Sequence, residues 1–121
     1  MKDRGLELAL LFDFFGELLT ERQREYFELY HNQDLSLSEI AENEGISRQG
    51  VRDIIVRAEG ILTETEKKTG VVEKYLRDQA DIAAIDKLLE EMISLMEQGE
   101  SGGRLLELAT AARGRLQSLR G

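Results

Sequence analysis

At 121 residues the chain has the length of about one domain, and 24 acidic against 16 basic residues give it a net charge of −8. The absence of cysteine excludes disulfides and thiolate metal sites and fits a reducing cytoplasm. With no proline and few strand-like runs, the chain is expected to be all-α.

Residues 6–19, LELALLFDFFGELL, are apolar around most of a helical circumference. Leu8, Phe12, Phe15 and Leu19 form one stripe, widened by Leu6, Leu10, Leu11, Phe14 and Leu18. A helix this apolar is expected to be buried on more than one side, within the chain or against another subunit. Its longest unbroken apolar run, residues 8–12, is far too short to span a membrane. Asp13 and the lack of a small-residue cleavage site argue against a signal peptide. Six of the seven aromatic residues fall in the first thirty, so the main core belongs there.

Thr20 and Gln23 have the spacing of a capping box that opens a helix over 21–32, with Tyr26, Phe27 and Tyr30 on its inner face and Leu29 beside them. His31 ends that helix, where a positive side chain suits the dipole; with no second histidine and no cysteine it has no partners for metal or catalytic work.

The most informative stretch is residues 35–56, LSLSEIAENEGISRQGVRDIIV. Ser36 and Glu39 form a second capping box, and Ala41 is small enough for a second helix to pack close. Gly45 stands where the chain must turn, at a position that favours a residue tolerant of positive φ. Ile46 is an apolar plug, Ser47 an N-cap, and Val51, Ile54 and Ile55 the buried face of the next helix. A short helix, a glycine turn and a capped second helix form a helix-turn-helix. The second helix is expected to run to about Lys68, closed by Gly70. Residues 20–60 nonetheless hold nine acids against five bases, a net charge of −4, so only a local basic strip could offset repulsion from phosphate.

A further amphipathic helix is expected over 71–98, with Val72, Tyr75, Ile82, Ile85, Leu89, Met92 and Met96 on one face. Residues 99–103 break it. A last helix over 104–120 carries Leu105, Leu108, Ala112, Leu116 and Leu119, and the pair suggests an antiparallel hairpin. The expected organisation is a helix-turn-helix domain over 1–70, fronted by the apolar helix, and a C-terminal helical hairpin over 71–121.

The stretches Leu19-Thr20-Glu21-Arg22-Gln23-Arg24-Glu25, Leu37-Ser38-Glu39-Ile40-Ala41 and Ile46-Ser47-Arg48-Gln49-Gly50-Val51 resemble region 4 of bacterial sigma factors, which binds promoter DNA through its helix-turn-helix. With the N-terminal apolar helix, Val56-Arg57-Ala58-Glu59 and Glu66-Lys67-Lys68-Thr69-Gly70, the likeness extends to the YlxM family, small bacterial helix-turn-helix proteins encoded beside the signal recognition particle GTPase. That resemblance implies a regulatory role or a link to the signal recognition particle pathway. One departure stands out. Sigma factors continue from the recognition helix into a basic exit, whereas here Arg57-Ala58 leads into Glu59-Gly60-Ile61-Leu62.

Two functional readings follow. In the first, the protein is a nucleic-acid-binding regulator: Arg48, Gln49 and Arg52 lie at the exposed start of the second helix, where base-reading residues belong. Arginine pairs with guanine, glutamine with adenine, and Ser47 can meet a phosphate, with Arg57 extending the strip. In the second, it is a protein-interaction module for the targeting GTPase or its RNA complex, presenting its apolar helix and methionine-bearing hairpin. Excess apolar surface at Leu6, Leu10, Phe14 and the Met92/Met96 end points to a homodimer. With no phosphate-binding glycine loop and no nucleophile–base pair, neither enzymatic activity nor a cofactor is expected.

Overall fold

These patterns resolve, in a computed structural model that describes residues 4–120, into six α-helices joined by short links. They are α1 (Arg4–Phe15), α2 (Glu21–His31), α3 (Leu37–Glu44), α4 (Arg48–Thr69), α5 (Val71–Glu97) and α6 (Gly103–Arg120), with a 3-10 turn at Gly16–Leu18. The described residues contain no strand. The chain divides into two compact units, Met1–Val72 and Glu73–Gly121.

Three hydroxyls set the starts of the central helices. Thr20 accepts the Gln23 amide at 3.1 Å and returns its own amide to Gln23 Oε1 at 2.9 Å. Ser36 and Glu39 repeat the arrangement at the start of α3, at 3.1 and 2.9 Å. Each box satisfies two amides that a helix N-terminus leaves without partners. Ser47 opens α4 by accepting the Gly50 amide at 3.0 Å. A Cβ on Gly50 would sit 3.1 Å from Ser47 Oγ, so the bare glycine leaves room for that cap. Between α3 and α4 the backbone reverses at Gly45, whose φ is +72°. The amides of Gly45 and Ile46 both donate to the Ala41 carbonyl, at 2.9 and 3.2 Å, which closes α3 and drops Ile46 against the core.

The first unit has two apolar clusters. Tyr26, Ile40, Val51 and Ile55 join α2, α3 and the start of α4, with Leu29, Leu35, Leu37, Ala41, Ile46 and Ile54 packed around them. Leu8, Leu11, Leu19, Phe27, Ala58, Leu62 and Val72 form the second, where the Phe12 ring stacks on Phe27 with centroids 4.6 Å apart.

The N-terminal segment departs from the expectation of one helix over 6–19. α1 stops at Phe15, the backbone tightens into the 3-10 turn, and Leu19 is extended (φ −80°, ψ 151°). The cause is Thr20, whose capping geometry needs extended backbone and so forces the helix to end before it. Leu19 is thereby turned into the core while Leu18 is 60% exposed. Leu6 and Phe14 are exposed as well, so α1 buries one side and not its whole circumference. Tyr30 is also more exposed than expected of an inner-face residue; its ring meets His31 edge-on.

In the second unit α5 and α6 form the antiparallel hairpin. Arg104 pairs with Glu91 at 3.3 Å and Arg115 with Asp81 at 3.1 Å, two ion pairs that share one antiparallel register. Leu108 is buried between the helices, and Ala84, Ile85, Leu88, Met92 and Leu95 of α5 are half-buried. Ile82, Leu89 and Met96 of the expected inner face are exposed, as is Leu116 of α6. The contact face of α5 is therefore rotated from the stripe that the spacing alone picks out.

Two predictions follow from the caps. A β-branched residue at Gly45 would be forced into left-handed backbone, a strain of about 1–3 kcal/mol. No other atom lies near enough to add a clash. Gly45→Val should therefore lower the melting temperature by several degrees in thermal denaturation. The second concerns acid. The Ser36 amide, and after it the Ser36 hydroxyl, hold the Glu39 carboxyl below its ordinary value of 4.5. A depressed carboxyl stabilises the fold above its unfolded value, and that share is lost as the pH falls through the folded one. Glu39→Gln keeps an acceptor in place without a titrating group, as Gln23 does in the α2 box. Acid melts of the variant should lose less stability below 4.5 than wild type does.

Candidate nucleic-acid interface

The exposed flank of α4 begins one residue after its cap. Ser47, Arg48, Gln49, Arg52, Asp53 and Arg57 are all exposed, while Val51, Ile55 and Ala58 on the reverse side are buried. At about 100° per residue, Arg48 and Arg52 lie within roughly 40° of each other, and Arg57 falls about half a turn from Arg48. The grooves agree with this arithmetic. Leu37, Arg48, Gln49 and Arg52 line one, between the start of α3 and the start of α4. Arg57 belongs to another, lined with it by Thr20, Arg22, Gln23, Asp53 and Ile54. The structure thus brings Arg48, Gln49 and Arg52 together beside the Ser47 cap and sets Arg57 apart, next to α2.

Two polar contacts modify this surface. The Gln49 side-chain amide donates to Asp53 Oδ1 at 2.8 Å, so a base edge would have to displace a carboxylate to engage it in full. Arg22 lies over the Tyr26 ring, 5.5 Å from its centroid, and shares the groove of Arg57. The sequence alone does not single out Arg22, because its nearness to Arg57 comes from the packing of α2 on α4.

Charge is uneven along this face. Residues 47–58 hold Arg48, Arg52 and Arg57 against Asp53, net +2, inside a 20–60 region that is net −4. The first turn of α4 carries no acid, whereas those of α2 and α3 carry Glu21 and Glu39. The positive end of the α4 dipole is therefore not offset by an acid in its own first turn.

Glu59, the residue at which the basic exit of sigma factors is missing, has a structural partner. Its Oε2 lies 2.6 Å from His31 Nε2, and the imidazole packs on Phe27 with ring centroids 4.3 Å apart. His31 thus ties the end of α2 to α4. Among the described residues no group of His, Asp or Glu side chains gathers to hold a metal ion, and no described helix is long and apolar enough to cross a membrane.

A family model described as "Putative helix-turn-helix protein, YlxM / p13 like" matches residues 2–101. The chain belongs to this family. The match takes in the helix-turn-helix and all of α5, and ends in the turn before α6. A UPF0122 protein of Desulforamulus reducens is 45% identical over 96 residues, covering 79% of this chain and 76% of the relative. One of Acetivibrio thermocellus is 48% identical over 91 residues, covering 69% and 78%. Another, of Halalkalibacterium halodurans, is 42% identical over 103 residues, covering 80% and 94%. The family description and the α3–Gly45–α4 geometry agree on a helix-turn-helix.

Proposed function

We propose that the protein is a cytoplasmic nucleic-acid-binding regulator of the helix-turn-helix type, working as a homodimer. Residues 1–70 form the binding domain, docked in the manner of sigma region 4, and residues 71–121 form a separate hairpin. The observation that carries this reading is the exposed, locally basic start of α4 beside its Ser47 cap. In this docking the start of α4 enters a major groove. Arg48, Gln49 and Arg52 face base edges, Ser47 meets a phosphate, and Arg57 with Arg22 reaches the adjoining backbone.

The test is binding to random duplex DNA and RNA across a salt series. Replacing Arg48 and Arg52 together by alanine should weaken binding. If both meet phosphate, the slope of log affinity against log salt should shallow by about 1.8. If they read bases, sequence preference should relax with a smaller change in slope. Asp53→Ala should tighten binding several-fold by freeing Gln49 and removing a carboxylate from the face. Unchanged binding in the double-arginine variant would remove α4 from the site, and no wild-type binding at low salt would overturn the reading.

A second reading, a contact with the signal recognition particle GTPase, is favoured by the exposed acids Glu39, Glu42 and Glu44 on α3. In a helix-turn-helix the first helix crosses the nucleic-acid backbone, where these acids oppose phosphate and suit a basic protein surface. Titration calorimetry at physiological salt should show tighter binding to the GTPase, alone or with its RNA, than to free RNA. Binding to free RNA without binding to the GTPase would reject this reading.

A further inference from the structure

The hairpin has two unlike sides. At about 100° per residue, the exposed stripe of Ile82, Leu89, Ile93 and Met96 sits roughly a quarter turn from the α5 face that meets α6. Leu116 and Leu106 of α6 are displaced from its own contact face in the sense that, for an antiparallel helix, brings them to the same side. The Glu91–Arg104 and Asp81–Arg115 ion pairs place Leu106 level with Leu89 and Leu116 within a helical turn of Ile82. Arg104, Arg115 and Glu91 lie toward the opposite side. Each of the six apolar residues is at least 45% exposed, and Leu106 reaches 69%. One side of the hairpin carries the ion pairs, and the other carries these exposed apolar residues with Arg113 among them.

Charge indicates what covers that face. Outside the two ion pairs that join the helices, α5 holds five acids against three bases, net −2, and α6 two bases against one acid, net +1. By the same helical arithmetic, Asp86 and Glu90 flank the apolar stripe on α5, and Arg113 sits between Leu116 and Leu106 on the corresponding side of α6. A second copy of the hairpin supplies both an apolar face and the opposite charge for each helix. Two hairpins can stack face to face about a two-fold axis in two ways. An axis across the helices lays α5 on α5, acid against acid. An axis along the helices lays each α5 on the partner's α6, acid against base.

We infer that the exposed face of the α5–α6 hairpin is the homodimer interface, closing a four-helix bundle in which α5 of one copy packs on α6 of the other. The inference rests on the proposed self-association and names its surface and arrangement. The bundle buries Ile82, Leu89, Ile93, Met96, Leu106 and Leu116. It is distinct from a dimer made through Leu6 and Phe14 of α1.

Light scattering on the full chain should give twice the 13.7 kDa chain mass. Leu89→Glu combined with Ile93→Glu should halve the measured mass with helical content by circular dichroism unchanged, since both residues are already exposed in the single chain. The native chain has no cysteine, so introduced thiols report on arrangement. Leu89→Cys and Leu106→Cys chains, mixed and oxidised, should crosslink to each other, and neither should crosslink with itself. Self-crosslinking of Leu89→Cys would replace the arrangement with the α5-on-α5 stack. A dimer that survives the double glutamate variant would overturn the hairpin interface while leaving self-association standing. A wild-type monomer at tens of micromolar would overturn both and leave the face to a different protein.

Discussion

The first unit depends on one buried stripe along α4. Val51 and Ile55 close the helix-turn-helix cluster, and Ala58 and Leu62 close the cluster with α1, at spacings of four, three and four residues on one uninterrupted helix. The start of α4, where any nucleic acid would be met, is therefore levered from its far end: α1 grips one half and α2 with α3 the other. Helix α2 makes the same bridge with adjacent residues. Tyr26 enters one cluster and Phe27 the other, because neighbours on a helix point about 100° apart. The His31–Glu59 contact lies along this second junction, so the site that interrupts a basic exit also braces α2 against α4.

What was legible in the sequence was what is local. The caps at Thr20, Ser36 and Ser47 and the left-handed turn at Gly45 each involve residues at most a few positions apart, and each formed as its spacing required. What was not legible was direction. A segment apolar on nearly every side, such as residues 6–19, does not state which side will be covered. That was decided by the capacity of the cluster around Phe27 and by the extended geometry that Thr20 imposes on its neighbour. The hairpin repeats the lesson. The spacing gathers Ile82, Ile85, Leu89, Met92 and Met96 on one broad face of α5 and does not say which edge of it meets α6. In the hairpin the edge through Ile85, Leu88 and Met92 is half-buried, and the edge through Ile82, Leu89 and Met96 stays outside.

The candidate site divides along the same line. Arg48, Gln49 and Arg52 lie within five residues of one helix, so helical spacing alone places them on one flank, and they share a groove. Arg57 looks like a continuation of that strip in the linear sequence, but nine residues are about two and a half turns, and it emerges beside α2. Its companion Arg22 is supplied by a different helix through tertiary packing that no local pattern encodes. The Gln49–Asp53 hydrogen bond was accessible in principle, since residues four apart on a helix are neighbours.

The charge pattern constrains any contact with nucleic acid more tightly than the fold does. At physiological ionic strength an exposed charge is felt over about 8 Å, so a duplex senses local charge, here three arginines of α4 set in a chain of net −8. A chain of net −8 is not steered toward phosphate, and few bases are at hand for the phosphate neutralisation on which non-specific affinity rests. In the proposed docking Arg48 and Arg52 would lie against the duplex, with Glu42 and Glu44 exposed on α3. A binder built this way gives up residence on arbitrary sequence and depends on shape and base contacts, or on a basic protein that first neutralises α3. The same acidic α3 that weakens indiscriminate binding is thus the feature through which a protein partner could control access to α4.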